Sequence, residues 1–180
     1  TDTTTAHWHG LIVPSEYDGG PHSPILPGNT WSVHFRILNQ ASTHWYHPHG
    51  NMQTTRQVTN GLAGMIVVKD TVENKLNLPR TYGIDDIPII LQDKKYDSTG
   101  NFMPVGLGDS MLVNGTAHPF VNLPAQVIRL RNLNASAGRY YNIGFSDNRN
   151  FNVIASDASL LEKPYLTNRI LIGSSERYEI

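Results

Sequence analysis

The strongest constraint on this chain is a hydrophobic period of two. Trp31, Val33, Phe35 and Ile37 alternate with Ser32, His34 and Arg36, the pattern of an extended strand with one buried face. Similar short runs follow at 64–68, 87–92, 127–133, 140–145, 151–154 and 169–172, and 176–180 alternates in the same manner. Turn clusters separate the runs: Asp18-Gly19-Gly20-Pro21, Leu26-Pro27-Gly28-Asn29, Ser98-Thr99-Gly100-Asn101 and Asn114-Gly115. Many short strands spaced by such turns predict an all-β chain, a sandwich or barrel. A helical turn is expected only at 54–59, where Asn60-Gly61 supplies a C-terminal cap.

Segment 70–86 is more polar, contains Pro79 and Gly83 and has no alternation, so a boundary is expected inside it. Two β-units result, 1–75 and 76–180. Thr1 to Ala6 has neither a basic nor an apolar leader character and runs directly into His7-Trp8-His9-Gly10, while the last residues read as a strand in mid-course. The chain is therefore expected to be a fragment of a longer polypeptide.

Composition narrows the partners. Fourteen Lys and Arg against fifteen Asp and Glu leave a net charge of -1, which gives no electrostatic case for nucleic acid or an anionic membrane. Apolar runs such as Met65 to Val68 fall far short of the ~20 residues of a membrane span, so none is expected. Cysteine is absent, which removes disulfides, thiolate catalysis and any cysteine-bound zinc or copper from this stretch.

Five of the eight histidines fall in two clusters, His7-Trp8-His9-Gly10 and His44-Trp45-Tyr46-His47-Pro48-His49-Gly50. Each contains His-X-His followed by Gly, and two such quartets are improbable by accident. On a strand, residues i and i+2 face one side about 7 Å apart, so each pair presents two imidazoles in one direction. That spacing suits two neighbouring metal ions better than one tightly chelated ion. A lone His-X-His pair would read as a solvated surface pair; two, each beside a tryptophan, read as ligands. His44 lies three residues before His47, hence on the opposite face, and is not expected to be a ligand. His22, His34 and His118 stand alone and read as surface residues, and Trp8 and Trp45 read as core packing around the imidazoles. An all-histidine donor set disfavours magnesium and calcium and leaves zinc or copper.

At these residues the sequence resembles the multicopper oxidases. The family's HXHG and WYHXH copper motifs match His7-Trp8-His9-Gly10 and Trp45-Tyr46-His47-Pro48-His49, and Gly61-Leu62-Ala63-Gly64-Met65-Ile66 matches its GLXG strand signature. The nearest subgroup is similar to bacterial cuprous oxidases and laccase-like enzymes, through Asp18-Gly19-Gly20-Pro21, 83–88, 92–95, Val113-Asn114-Gly115 and 146–149. Two positions depart from it: Gly50-Asn51-Met52 stands where a third histidine is common, and Asn60 replaces an acidic residue before GLXG. Neither touches the four ligand positions.

The resemblance implies cupredoxin-like Greek-key sandwiches, two of them incomplete here. It implies that His7 binds a type 2 copper and that His9, His47 and His49 bind a type 3 pair, half the ligands of a trinuclear cluster. The other half, with the type 1 blue copper, would come from a third cupredoxin domain of the same polypeptide. It further implies periplasmic or extracellular location, and four-electron reduction of dioxygen to water coupled to oxidation of phenols or Cu(I). Asp18 reads locally as a turn residue, but in the related enzymes the matching Asp lies near the type 2 copper, where it would relay protons as a catalytic residue. One rival is a copper-free scaffold of the same fold, as in bacterial cell division, against which four retained imidazoles argue. The other, a two-domain copper nitrite reductase, needs a cysteine that is absent.

Overall fold

In the computed structural model, which describes residues 2–180, the regular elements are almost all strands, joined by long turns and loops. The all-β expectation holds. A first sheet contains β1 (His7–His9), β2 (Ser42–His47) and β3 (Gly64–Val68), with β2 in the middle and both pairings antiparallel. β-Branched Thr43, Ile66, Val67 and Val68 suit a pleated surface. Tyr46 faces Gly64, where a Cβ would sit 2.4 Å from the tyrosine ring. Between β2 and β3 the expected helical turn forms as α1 (Thr54–Thr59), which ends at Asn60 and at Gly61 with φ +98°.

The remaining strands are β4 (Asp86–Lys94), β5 (Ser110–Val113), β6 (Thr116–Ala117), β7 (Arg129–Asn134), β8 (Tyr141–Ile143), β9 (Phe151–Ala155), β10 (Leu160–Thr167), β11 (Ile170–Ile172) and β12 (Arg177–Glu179). Seven of them form one sheet in the order β10-β9-β12-β7-β4-β5-β6, and β8 pairs with β11. β4 and β7 run parallel; the other pairs are antiparallel. The β5–β6 hairpin turns through Asn114 and Gly115, both at positive φ, the backbone that asparagine and glycine tolerate best.

The clearest alternation in the sequence is not a ladder strand. Residues 31–37 carry no strand pairing, although Trp31, Val33 and Phe35 are half-buried and Ser32, His34 and Arg36 exposed, as the period predicts; Ile37, expected on the buried side, is exposed. Periodicity reports which side faces the protein, whereas a strand also needs a neighbour to accept and donate its backbone hydrogen bonds. Here the inward side packs on Trp8, which stacks on Trp31 at 6.5 Å and approaches Phe35 at 5.8 Å.

Two features lock the first sheet to the large one. Trp45, Leu133 and Ala135 form a buried cluster flanked by Ala63, Met65 and Ile90. Beside it lies a network of buried charge. Arg129 donates to Glu73 (2.7 Å) and Glu179 (2.8 Å), and Arg131 donates to both Asp86 oxygens (2.6 and 2.9 Å) and to Glu179 (2.6 Å). Thr43 of β2 completes it by donating to Glu179 Oε1 at 2.7 Å. Lys94 adds a further tie, its Nζ donating to the Val58 and Thr59 carbonyls at the end of α1.

Candidate metal centre

The histidines meet because β1 and β2 are antiparallel with His7 opposite His47. Alternation then puts His7 and His9 on one face of β1, and His47 with Trp45 and Thr43 on one face of β2. His7, His9 and His47 bring one ring nitrogen each to within 4.8 Å of the others. The ring centroids of His7 and His9 are 5.8 Å apart, so the three imidazoles form one cluster of donors able to hold metal. His49 lies past the end of β2 and is exposed, with its ring 5.1 Å from His7 and 5.9 Å from His47. It borders the tight group of three without belonging to it.

Hydrogen bonds fix the tautomers. His7 Nδ1 lies 2.9 Å from the Asp18 carbonyl oxygen, which can only accept, so Nδ1 carries the proton and Nε2 keeps its lone pair. By the same reasoning His47 Nδ1 donates to the Pro48 carbonyl at 2.9 Å. His47 Nε2 is then an acceptor, and His9 Nδ1 donates to it at 3.1 Å. A metal ion replacing that proton would find both nitrogens already facing it. This is the sense in which the donor set fits a late transition metal: neutral imidazoles, converging lone pairs and no competing carboxylate ligand.

Burial keeps the His9 and His47 imidazoles neutral. It pushes His9 down to about 4, with the Arg177 guanidinium and the neighbouring imidazoles adding to the effect. Burial also lowers His47 to about 4, against the opposing Pro48 hydrogen bond. Deprotonated rings at neutral pH are the form that binds metal.

Asp18 does reach the cluster. It closes the 3-10 turn Ser15–Tyr17, and its Oδ1 lies 3.0 Å from His7 Nδ1 without accepting a hydrogen bond of its own. The same turn holds both sides of β1, because the Tyr17 carbonyl accepts from Trp8 Nε1 at 2.9 Å. Gly19, buried at φ +65°, permits this approach; a Cβ there would lie 1.9 Å from the Ala6 carbonyl. Trp45 packs against His47 at 4.2 Å and His9 at 5.3 Å with its ring tilted about 35° to theirs, so it walls the cluster from the core side.

His44 faces away from the cluster, as its spacing predicts. It is fully buried opposite Gly10, neither ring nitrogen has a hydrogen-bond partner, and burial with nearby Arg177 lowers it to about 4. His22, His34 and His118 are exposed. Two contributors escaped the sequence reading. They are Arg177, which donates to the Thr43 and Asp157 carbonyls and presses on Gly10, and Thr5, which accepts from the His49 amide. Neither lies in a motif that marks it.

Known proteins resemble this chain in sequence and fold. Residues 1–73 match the family model described as multicopper oxidase. The chain is 40% identical over 185 residues to the multicopper oxidase Mco of Staphylococcus haemolyticus, covering 99% of this chain and 41% of that one. It is also 41% identical over 181 residues to the cell division protein FtsP of a Rahnella species, covering 95% of this chain and 38% of that one. The crystal structure of a laccase from Pediococcus acidilactici superposes with a TM-score of 0.94 at 40% identity, over 99% of this chain and 40% of that chain. This chain therefore spans about two fifths of the length of these relatives. The cupredoxin-like architecture expected from the sequence is that of these neighbours. Residues 1–73 thus match a multicopper oxidase domain, and over nearly its whole length the chain is similar in sequence and fold to multicopper oxidases and laccases.

Proposed function

We propose that this chain supplies His7, His9, His47 and His49 to a trinuclear copper cluster of an oxidase, His7 toward the type 2 ion and the other three toward the type 3 pair. The observation that carries the reading is the convergence of His7, His9 and His47 nitrogens within 4.8 Å. Residues 1–75 and 76–180 are read as parts of a first and a second cupredoxin domain. A third domain of the same polypeptide would bring the remaining histidines and the type 1 copper. When bound, copper supplies reversible one-electron chemistry, which lets electrons from phenols or Cu(I) be collected and passed to dioxygen.

The chain's own residues hold and protect that centre. The Asp18 and Pro48 carbonyls orient the His7 and His47 rings, Trp45 excludes water from the core side, and the stiff β1–β2 ladder fixes the spacing. Reduction of dioxygen to water consumes four protons with its four electrons. The Asp18 carboxylate, beside His7, is the acidic group placed to hand them over. Periplasmic or extracellular placement follows the same family reading.

A second reading, a copper-free scaffold, draws on the similarity to FtsP. Three imidazoles on one side of the β1–β2 ladder, with the His49 ring beside them, favour the oxidase. In the full-length protein, His9→Ala, His47→Ala or His49→Ala should lower copper content and abolish dioxygen uptake with phenols or Cu(I), while the blue centre still accepts electrons. Normal uptake in His47→Ala would remove that residue from the centre.

A further inference from the structure

His47 is held by the ladder; His49 is not. β2 ends at His47, and Pro48, which has no N–H, donates no ladder bond. Two residues beyond a strand end, an exposed side chain would ordinarily be free to turn away.

The register shows what holds it. His7 pairs with His47, Trp8 with Tyr46 and His9 with Trp45. Continuing outward by two residues places Thr5 opposite His49. There the His49 amide donates to Thr5 Oγ1 at 2.6 Å, and Thr5 is buried at 5% exposure. Thr5 shares a face with His7 and His9 by strand alternation. A side-chain hydroxyl thus takes over at the position where the backbone ladder stops.

Thr5 is itself fixed through the residues that precede it. The neighbouring Thr4 forms a backbone bridge to Ile25 and donates its hydroxyl to Gln57 Oε1 at 2.9 Å, and Gln57 Nε2 donates to the Thr3 carbonyl at 2.8 Å. Segment 3–5 is therefore clamped to α1, which directly follows the second histidine motif. We propose that Thr5 is a positioning residue for His49: its hydroxyl extends the β1–β2 register past Pro48 and keeps the His49 imidazole on the side of His7, His9 and His47. The importance of this for copper rests on the function proposed above; the positioning itself does not.

The test uses the metal-free chain, isotopically labelled, with amide hydrogen exchange read by NMR. Thr5→Val keeps the branched shape and removes the acceptor, and should speed exchange of the His49 amide about tenfold, with the rest of β1 and β2 unchanged. Thr5→Ser keeps the hydroxyl and should exchange as the unaltered chain does. A His49 amide that exchanges equally fast in all three proteins would overturn the proposal. So would a uniform loss of protection through β1 and β2 in Thr5→Val, which would make Thr5 a general stabiliser. Substoichiometric Cu(II) separates the two readings. Broadening of His49 side-chain signals in the unaltered chain and in Thr5→Ser, weakened in Thr5→Val, supports both. Normal exchange behaviour without any broadening leaves the positioning standing and refutes His49 as a ligand.

Discussion

His9 Nδ1 and His47 Nε2 stand 3.1 Å apart although 38 positions separate them in the chain. The contact exists because β1 and β2 pair antiparallel in a register that sets His7 against His47 and His9 against Trp45. Two local His-X-His patterns thereby become one donor set, and the following predictions probe what holds it together.

Trp45 connects that donor set to the core. It is 3% exposed and packs with Leu133 and Ala135 and against the His47 and His9 rings. Trp45→Ala should cost about 3–5 kcal/mol of unfolding free energy, measured by urea titration. Trp45→Phe should cost less, since Nε1 has no hydrogen-bond partner to lose.

The buried charges between the sheets predict an asymmetry. Glu179 accepts from Arg129, Arg131 and Thr43, all within the interior. Glu179→Leu removes the carboxylate that the two guanidinium groups share, leaving Arg129 with Glu73 and Arg131 with Asp86 but several buried N–H groups unpaired, so it should destabilise by about 3–5 kcal/mol. Arg149→Ala, which breaks an exposed pair with Asp147, should change stability by less than about 1 kcal/mol.

Gly19 tests the turn that orients His7. Gly19→Ala places a methyl on the Ala6 carbonyl in a backbone conformation that alanine resists. It should lower the melting temperature and detach His7 Nδ1 from Asp18, visible as a change of imidazole tautomer in nitrogen-15 spectra. An unchanged His7 tautomer would show that the turn does not set the ring.

Acid should weaken the metal-free chain in a defined window. His9, His44 and His47 are held near 4 in the fold, mainly by burial, against about 6.5 in an unfolded chain. Above 6.5 all are neutral in both states and contribute no pH dependence. Between 6.5 and 4 the unfolded chain binds protons that the fold refuses, so stability falls as pH falls. His44→Leu removes one such ring without touching the cluster and should make that fall shallower in urea titrations across the window.

Much of this was legible in the sequence, for stated reasons. His-X-His on a strand must put both rings on one side, and Asn114-Gly115 between short runs must turn a hairpin. Residues 31–37 misled because alternation records a half-buried face, not the presence of a pairing neighbour. In β7 the alternation marks a strand, but it does not show that Arg129 and Arg131 point inward, since their carboxylate partners lie 45 to 56 positions away. The same holds for Thr5, whose role depends on register with a residue 44 positions on. Long-range pairing decides these cases, and a single sequence carries little local trace of it.

The central claim is that the converging imidazoles bind copper. The direct measurement is Cu(II) titration of this chain, with copper counted by elemental analysis and its ligands read from nitrogen hyperfine structure in electron paramagnetic resonance. The account predicts at least one bound copper with several imidazole nitrogens, and loss of that site in His9→Ala and His47→Ala but not in His44→Leu. No blue band should appear, because the chain has no cysteine. A chain that takes up no copper, or binds it equally well after His9→Ala and His47→Ala, would contradict the account.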